Sequence, residues 1–72
     1  MDRLEAMAML KELINCKLVD PTHINIMLKT PEHYQVQIKG EYNIQEIEKH
    51  ARKHGLTIEE DKERKYLVIY KQ

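Results

Sequence analysis

Residues 43–71 constrain the fold most: a capped helix, one glycine and a two-stranded hairpin follow one another without interruption. Asn43 suits an N-cap, Glu46 stands three residues on, and Tyr42 precedes the cap, placed to staple onto Ile47. Ile44, Ile47 and Ala51 share one face at helical spacing, and Gly55 supplies the left-handed residue that ends a helix at low cost. Acidic Glu41, Glu46 and Glu48 lie toward the positive end of the helix dipole; Lys49, Arg52, Lys53 and His54 lie toward the negative end. Glu48 and Arg52 are spaced to pair along the helix surface.

After Gly55, residues 56–60 alternate with period two, Asp61-Lys62-Glu63-Arg64 reads as a charged turn, and residues 65–71 read as a strand. That last strand is apolar on both faces, with Tyr66, Val68 and Tyr70 on one and Leu67 and Ile69 on the other. A two- or four-residue turn pairs Ile58 with Leu67 and Leu56 with Ile69 and sends Leu67 and Ile69 toward the helix. A turn of odd length sends the tyrosines and Val68 there instead.

The first half reads as a looser copy. Asp2 and Glu5 form a capping box, and Leu4, Met7, Leu10, Ile14 and Leu18 recur at helical intervals, widened by Ala6, Met9 and Leu13. A stripe this broad fits a helix wedged between the sheet and its neighbour helix; the sharper reading is a helix that also meets another subunit. Asp20-Pro21 closes this segment. Ile24, Ile26 and Leu28 then alternate on one face, Thr30-Pro31-Glu32 signals a turn, and Tyr34, Val36 and Ile38 point inward with Gln35 and Gln37 outward. Laying residues 23–39 over 55–71 aligns Ile24 with Leu56, Ile26 with Ile58, Tyr34 with Tyr66 and Val36 with Val68. This repeat favours Tyr66, Val68 and Tyr70 as the inward face of the last strand. The chain is expected to be one α+β domain, αββαββ, with halves at 1–40 and 41–72. Its four-stranded, mostly antiparallel sheet carries both helices on one face.

Twelve basic residues balance twelve acidic ones, so no single-sign field steers this chain toward nucleic acid or an anionic membrane. No apolar run is long enough to span a bilayer, and one cysteine makes no internal disulfide; both point to a reduced, cytoplasmic protein. Seventy-two residues lie near the lower limit for a self-sufficient core, and association would add burial.

Candidate chemistry is sparse. Glu46, His50 and His54 share one helical stripe, a spacing that can hold a metal, but the stripe flanks the buried face and no Cys or Asp stands nearby in sequence. Cys16, near the negative end of the first helix, reads as a small buried hydrophobe rather than a nucleophile. No phosphate loop or hydrolase motif occurs, and no cofactor is expected. The order strand, helix, Lys53-His54-Gly55, strand, turn and Tyr66-x-Val68-x-Tyr70-Lys71 resembles the second half of TusA-like sulfur-carrier proteins, over less than half the chain. Their Cys-Pro motif before the first helix has no counterpart here and Cys16 sits at the wrong end of that helix, so the resemblance implies no activity.

Two binding functions follow. The first is self-association through the outer sheet face or a sheet edge, with Tyr66, Leu67, Val68, Ile69 and Tyr70 as interface residues, some of which must lie outside the core. The alternative is nucleic-acid binding by one basic edge made of Lys49, Arg52 and Lys53 on the helix with Arg64 and Lys65 in the last turn.

Overall fold

The computed structural model describes residues 1–30 and 33–71. In chain order it contains α1 (Arg3–Asn15), a 3-10 turn (Pro21–His23), β1 (Ile24–Thr30), β2 (His33–Lys39), α2 (Ile44–Lys53), β3 (Thr57–Asp61) and β4 (Tyr66–Tyr70). The strands form one sheet in the order β1-β2-β4-β3, with every neighbouring pair antiparallel. This is the expected αββαββ architecture, with α1 over β1 and β2 and α2 against β3.

Local chemistry sets both helices. Asp2 accepts the Glu5 backbone N–H at 2.8 Å while the Glu5 carboxylate accepts the Asp2 N–H at 3.3 Å, which completes the capping box. Asn43 caps α2 by accepting from the Glu46 N–H at 3.2 Å. Both helices end in the same way. Leu18 N–H reaches back to the Leu13 carbonyl and Leu56 N–H to that of Ala51, with a left-handed residue before each: Lys17 at φ 58° and Gly55 at φ 70°.

The core lies between the helices and one face of the sheet. Ala6, Met9 and Leu13 of α1 and Ile47 and Ala51 of α2 cover Val36, Ile38, Leu67 and Ile69, all buried. The stripe of α1 therefore centres on the residues that widen it in the sequence pattern, and Leu4 and Met7 stay outside at 79% and 36% exposure. Glu12 lies on the flank toward α2, and Leu10 and Ile14 lie half-buried on the flank away from it. α1 thus packs on both the sheet and α2, as the wedge expectation has it, and the part of its apolar surplus left uncovered is Leu4 and Met7. Cys16 is also not a buried hydrophobe: it is the C-cap of α1 and exposed, because burial on this helix stops one turn earlier at Leu13.

The second hairpin corrects the inference drawn from the repeat. Asp61 pairs with Tyr66 across a four-residue turn, and Ile58 pairs with Ile69 and Glu60 with Leu67. The even turn puts Leu67 and Ile69 inward and Tyr66, Val68 and Tyr70 outward, as an even turn must, although the register differs by two residues from Ile58 opposite Leu67. The first hairpin has other arithmetic: Ile26 pairs with Val36 and Leu28 with Tyr34, after which the register shifts between Leu28 and Thr30. That irregularity changes the parity of the connection by one. An even alignment of the two halves therefore matches β1 to β3 but exchanges the faces of β2 and β4. Most of the predicted turn Thr30-Pro31-Glu32 lies outside the described residues.

Tyr42, just before the α2 cap, packs against the core, and its hydroxyl donates to Glu60 at 2.7 Å. Burial first, and then the hydrogen bond to Glu60 and its charge, push the phenol up to about 12. The folded state thus favours the neutral phenol. Its contribution to stability is full below the ordinary tyrosine value of about 10 and is lost as pH rises through about 12. A phenolate absorbance titration is expected to show a late component near pH 12 that disappears in Tyr42→Phe.

Candidate interaction surfaces

The strand order decides which surfaces are available. β4 is an interior strand, so its backbone is paired on both sides and only β1 and β3 are edges. Of the five interface residues expected from sequence, Leu67 and Ile69 are fully buried beneath the helices, while Tyr66, Val68 and Tyr70 lie half-buried on the open face.

The two edges differ in chemistry. β3 reads Thr57-Ile58-Glu59-Glu60-Asp61, and three carboxylates in five residues discourage another strand from pairing there. β1 reads Ile24-Asn25-Ile26-Met27-Leu28-Lys29-Thr30, seven residues with a single charge. Its Leu28 is 57% exposed and its Met27 38% exposed. Together with Leu4 and Met7 of α1, these are the exposed large hydrophobic residues among those described. All four sit on β1 or on the helix that lies over it. The main-chain bond from Tyr34 N–H to the Met1 carbonyl, 2.8 Å, ties the residue before the α1 cap to Tyr34, the ladder partner of Leu28. Met7, just over one turn into α1, lies on the flank opposite Glu12.

The basic residues are not brought together. Gly55 and Leu56 carry the chain straight from the C-terminal end of α2 into β3, so Lys49, Arg52 and Lys53 stand near the start of that strand. Arg64 and Lys65 occupy the turn at its other end, beside the N-terminal end of α2, as the Tyr42–Glu60 bond confirms. Five strand residues, roughly 16 Å, separate the groups. Within the first group Lys49 binds Glu46 at 3.2 Å and Arg52 binds Glu48 at 2.8 Å, so each is partly neutralised on its own helix. No single basic edge forms, because the helix runs antiparallel to the strand that follows it.

The histidine stripe is used between the helices. His50 Nδ1 lies 2.5 Å from Glu12 Oε2 and His54 Nε2 lies 3.0 Å from Glu12 Oε1, so one carboxylate of α1 receives two imidazoles of α2. Glu46 faces Lys49 instead. Nitrogen and oxygen are in direct contact, with no space for an ion between them, and no group of three His, Cys, Asp or Glu among the described residues is arranged to hold one. Glu12 is the residue that sequence reasoning missed. It is separated by 38 positions from His50, and nothing in its local pattern marks it.

The hydrogen bond from His54, followed by that from His50 and the nearby charges of His54 and Lys53, holds the Glu12 carboxyl below the usual carboxylate value against the opposing effect of burial. A lowered folded-state pKa means that the contribution of the ionised group is present above the unfolded value, about 4.5, and is lost as pH falls through the folded one. Glu12→Gln is accordingly expected to lower the melting temperature at pH 6, with the gap to the parent narrowing toward pH 3; thermal melts by circular dichroism check this.

No helix of the described residues is long and apolar enough to cross a membrane. Comparison with protein-family models, with curated proteins and with solved structures finds no match to this chain.

Proposed function

We propose that this protein acts as an interaction module that associates with a second copy of itself through the β1 edge. The observation that carries this reading is the placement of Leu4, Met7, Met27 and Leu28 on β1 and its overlying helix, beside the less charged of the two sheet edges. Antiparallel pairing of β1 with β1 is isologous: one patch meets itself about a two-fold axis perpendicular to the sheet, and association closes at two subunits. Both pairs of helices then lie on one side of a continuous eight-stranded sheet. On the helix side, Leu28 of each copy comes over the Ile24–Ile26 row of the other, and the Met7 flank of each α1 turns toward its counterpart. The β3 edge, with Glu59, Glu60 and Asp61, leaves the assembly unable to grow further.

Sedimentation equilibrium at 50 mM and 500 mM salt tests the proposal. A dimer insensitive to salt is expected, since the contacts are apolar and main-chain. A monomer throughout the accessible concentration range contradicts it.

A further inference from the structure

The face of the sheet opposite the helices has a chemistry of its own, and β1 pairing leaves it open. Down its centre run Tyr66, Val68 and Tyr70 of β4, half-buried, with Gln37 of β2 and Glu59 of β3 directly beside Val68 in the ladder. Together with Met27 and Gln35 they line a concavity of about 810 Å³. Its charged rim is acidic in excess: Glu59, Asp61 and Glu63 border it on this face against Lys62, with Lys39 opposite Tyr66 in the ladder, while the Glu60 carboxylate is held on the helix side by Tyr42. A polyanion is repelled by that rim, and a cation is drawn to it. Aromatic faces add to the same preference, because an ammonium or guanidinium group is attracted by the ring quadrupole. The Tyr70 hydroxyl donates to Glu59 at 3.0 Å, which holds ring and carboxylate side by side, so that one cation can meet both.

We propose that this concave outer face docks an extended segment carrying two arginine or lysine side chains. Spacing supports a strand-like ligand. Tyr66 and Tyr70 are four residues apart on one strand, about 13 Å, and an extended chain presents its own residues i and i+4 on one face at the same interval. Gln35 and Gln37 stand along the ridge on the β2 side, where their amides can donate to and accept from the main chain of such a segment. The aromatic row thus combines with carboxylates rather than with the basic residues of α2, which lie on the helix side of the sheet.

The experiment is a ¹H–¹⁵N correlation titration of the full chain with the capped peptide Arg-Ser-Ala-Ser-Arg, its Glu-Ser-Ala-Ser-Glu counterpart, and a single-stranded oligonucleotide. The arginine peptide is expected to shift the amides of Gln35, Gln37, Tyr66, Val68 and Tyr70, with binding that weakens as salt rises. Tyr66→Ala should weaken it about two- to fivefold, Tyr66→Phe should leave it nearly unchanged, and Glu59→Gln with Glu63→Gln should weaken it and flatten its salt dependence. Shifts centred on another surface overturn the proposal. So does no response at millimolar peptide, or an equal response of this face to the acidic peptide or the oligonucleotide. The outcome is independent of the β1 pairing, which sedimentation reads separately.

Discussion

Replacing Leu67 by alanine is expected to cost about 2–5 kcal/mol of stability, whereas Val68→Ala, one residue along the same strand, should cost less than about 1 kcal/mol. Leu67 is fully buried under the helices, and its truncation loses transfer free energy and opens a cavity in a core with few other residues to fill it. Val68 is half-buried on the open face, where water replaces the deleted methyl groups. A chain of 72 residues has a total stability of about 4–11 kcal/mol, so Leu67→Ala removes a large share of it. The melting temperature should fall by about 10 °C or more, against a few degrees for Val68→Ala. Unfolding by urea or heat, followed by circular dichroism at one fixed protein concentration, measures both, since association would otherwise alter the apparent stability. A reversed order of the two variants would mean that the faces of β4 have been assigned the wrong way round.

Leu28→Lys is expected to raise the dimer dissociation constant by at least about 100-fold while leaving the fold intact. The side chain is already 57% exposed in one copy, so little core packing is lost. An isologous contact counts the substitution twice, and two lost leucine burials of about 1.5 kcal/mol each give about 3 kcal/mol, before two like charges are set near the axis. Sedimentation of the variant alongside the parent checks the loss, and an unchanged circular dichroism spectrum shows that the fold survives. A variant that remains dimeric places the contact elsewhere, with the Tyr66–Val68–Tyr70 face the next surface to alter.

Much of this fold is legible in the sequence because local chemistry dictates it. The caps at Asp2 and Asn43, the left-handed Gly55, the Glu48–Arg52 pair and the inward row Tyr34–Val36–Ile38 are each encoded within a few residues. Errors arise where one residue decides a parity or a rotation. Lys65 takes φ 57° in the last turn, and Asp61 there accepts the N–H groups of Glu63 and Arg64 at 3.0 Å each. Neither lysine in a left-handed conformation nor the irregularity between Leu28 and Thr30 announces itself by residue type, and together they exchange the faces of β4 relative to the repeat. On α1 the pattern is apolar over half its circumference, so periodicity defines a broad stripe but not its centre, which the packing sets at Ala6, Met9 and Leu13.

The interaction surfaces are less legible, because they depend on strand order. Nothing local says that β4 lies inside the sheet and β1 at its edge. That order sends Leu28 from an expected core position to the rim and turns β4 from an edge candidate into a strand that offers only its outer face. The antiparallel run of α2 and β3 likewise separates Arg64 and Lys65 from Lys49, Arg52 and Lys53, which sequence proximity had grouped. The pairing of Glu12 with His50 and His54 is of the same kind, since it exists only once α1 and α2 lie side by side.

The most direct test of β1 pairing is amide hydrogen exchange across a range of protein concentrations, read residue by residue. If two copies join through this edge, alternate amides of residues 24–28 gain protection as concentration rises through the dimer range, while those of the acidic β3 edge, residues 57–61, do not. Exchange in β1 that stays independent of concentration, or protection that grows first along β3, contradicts the account.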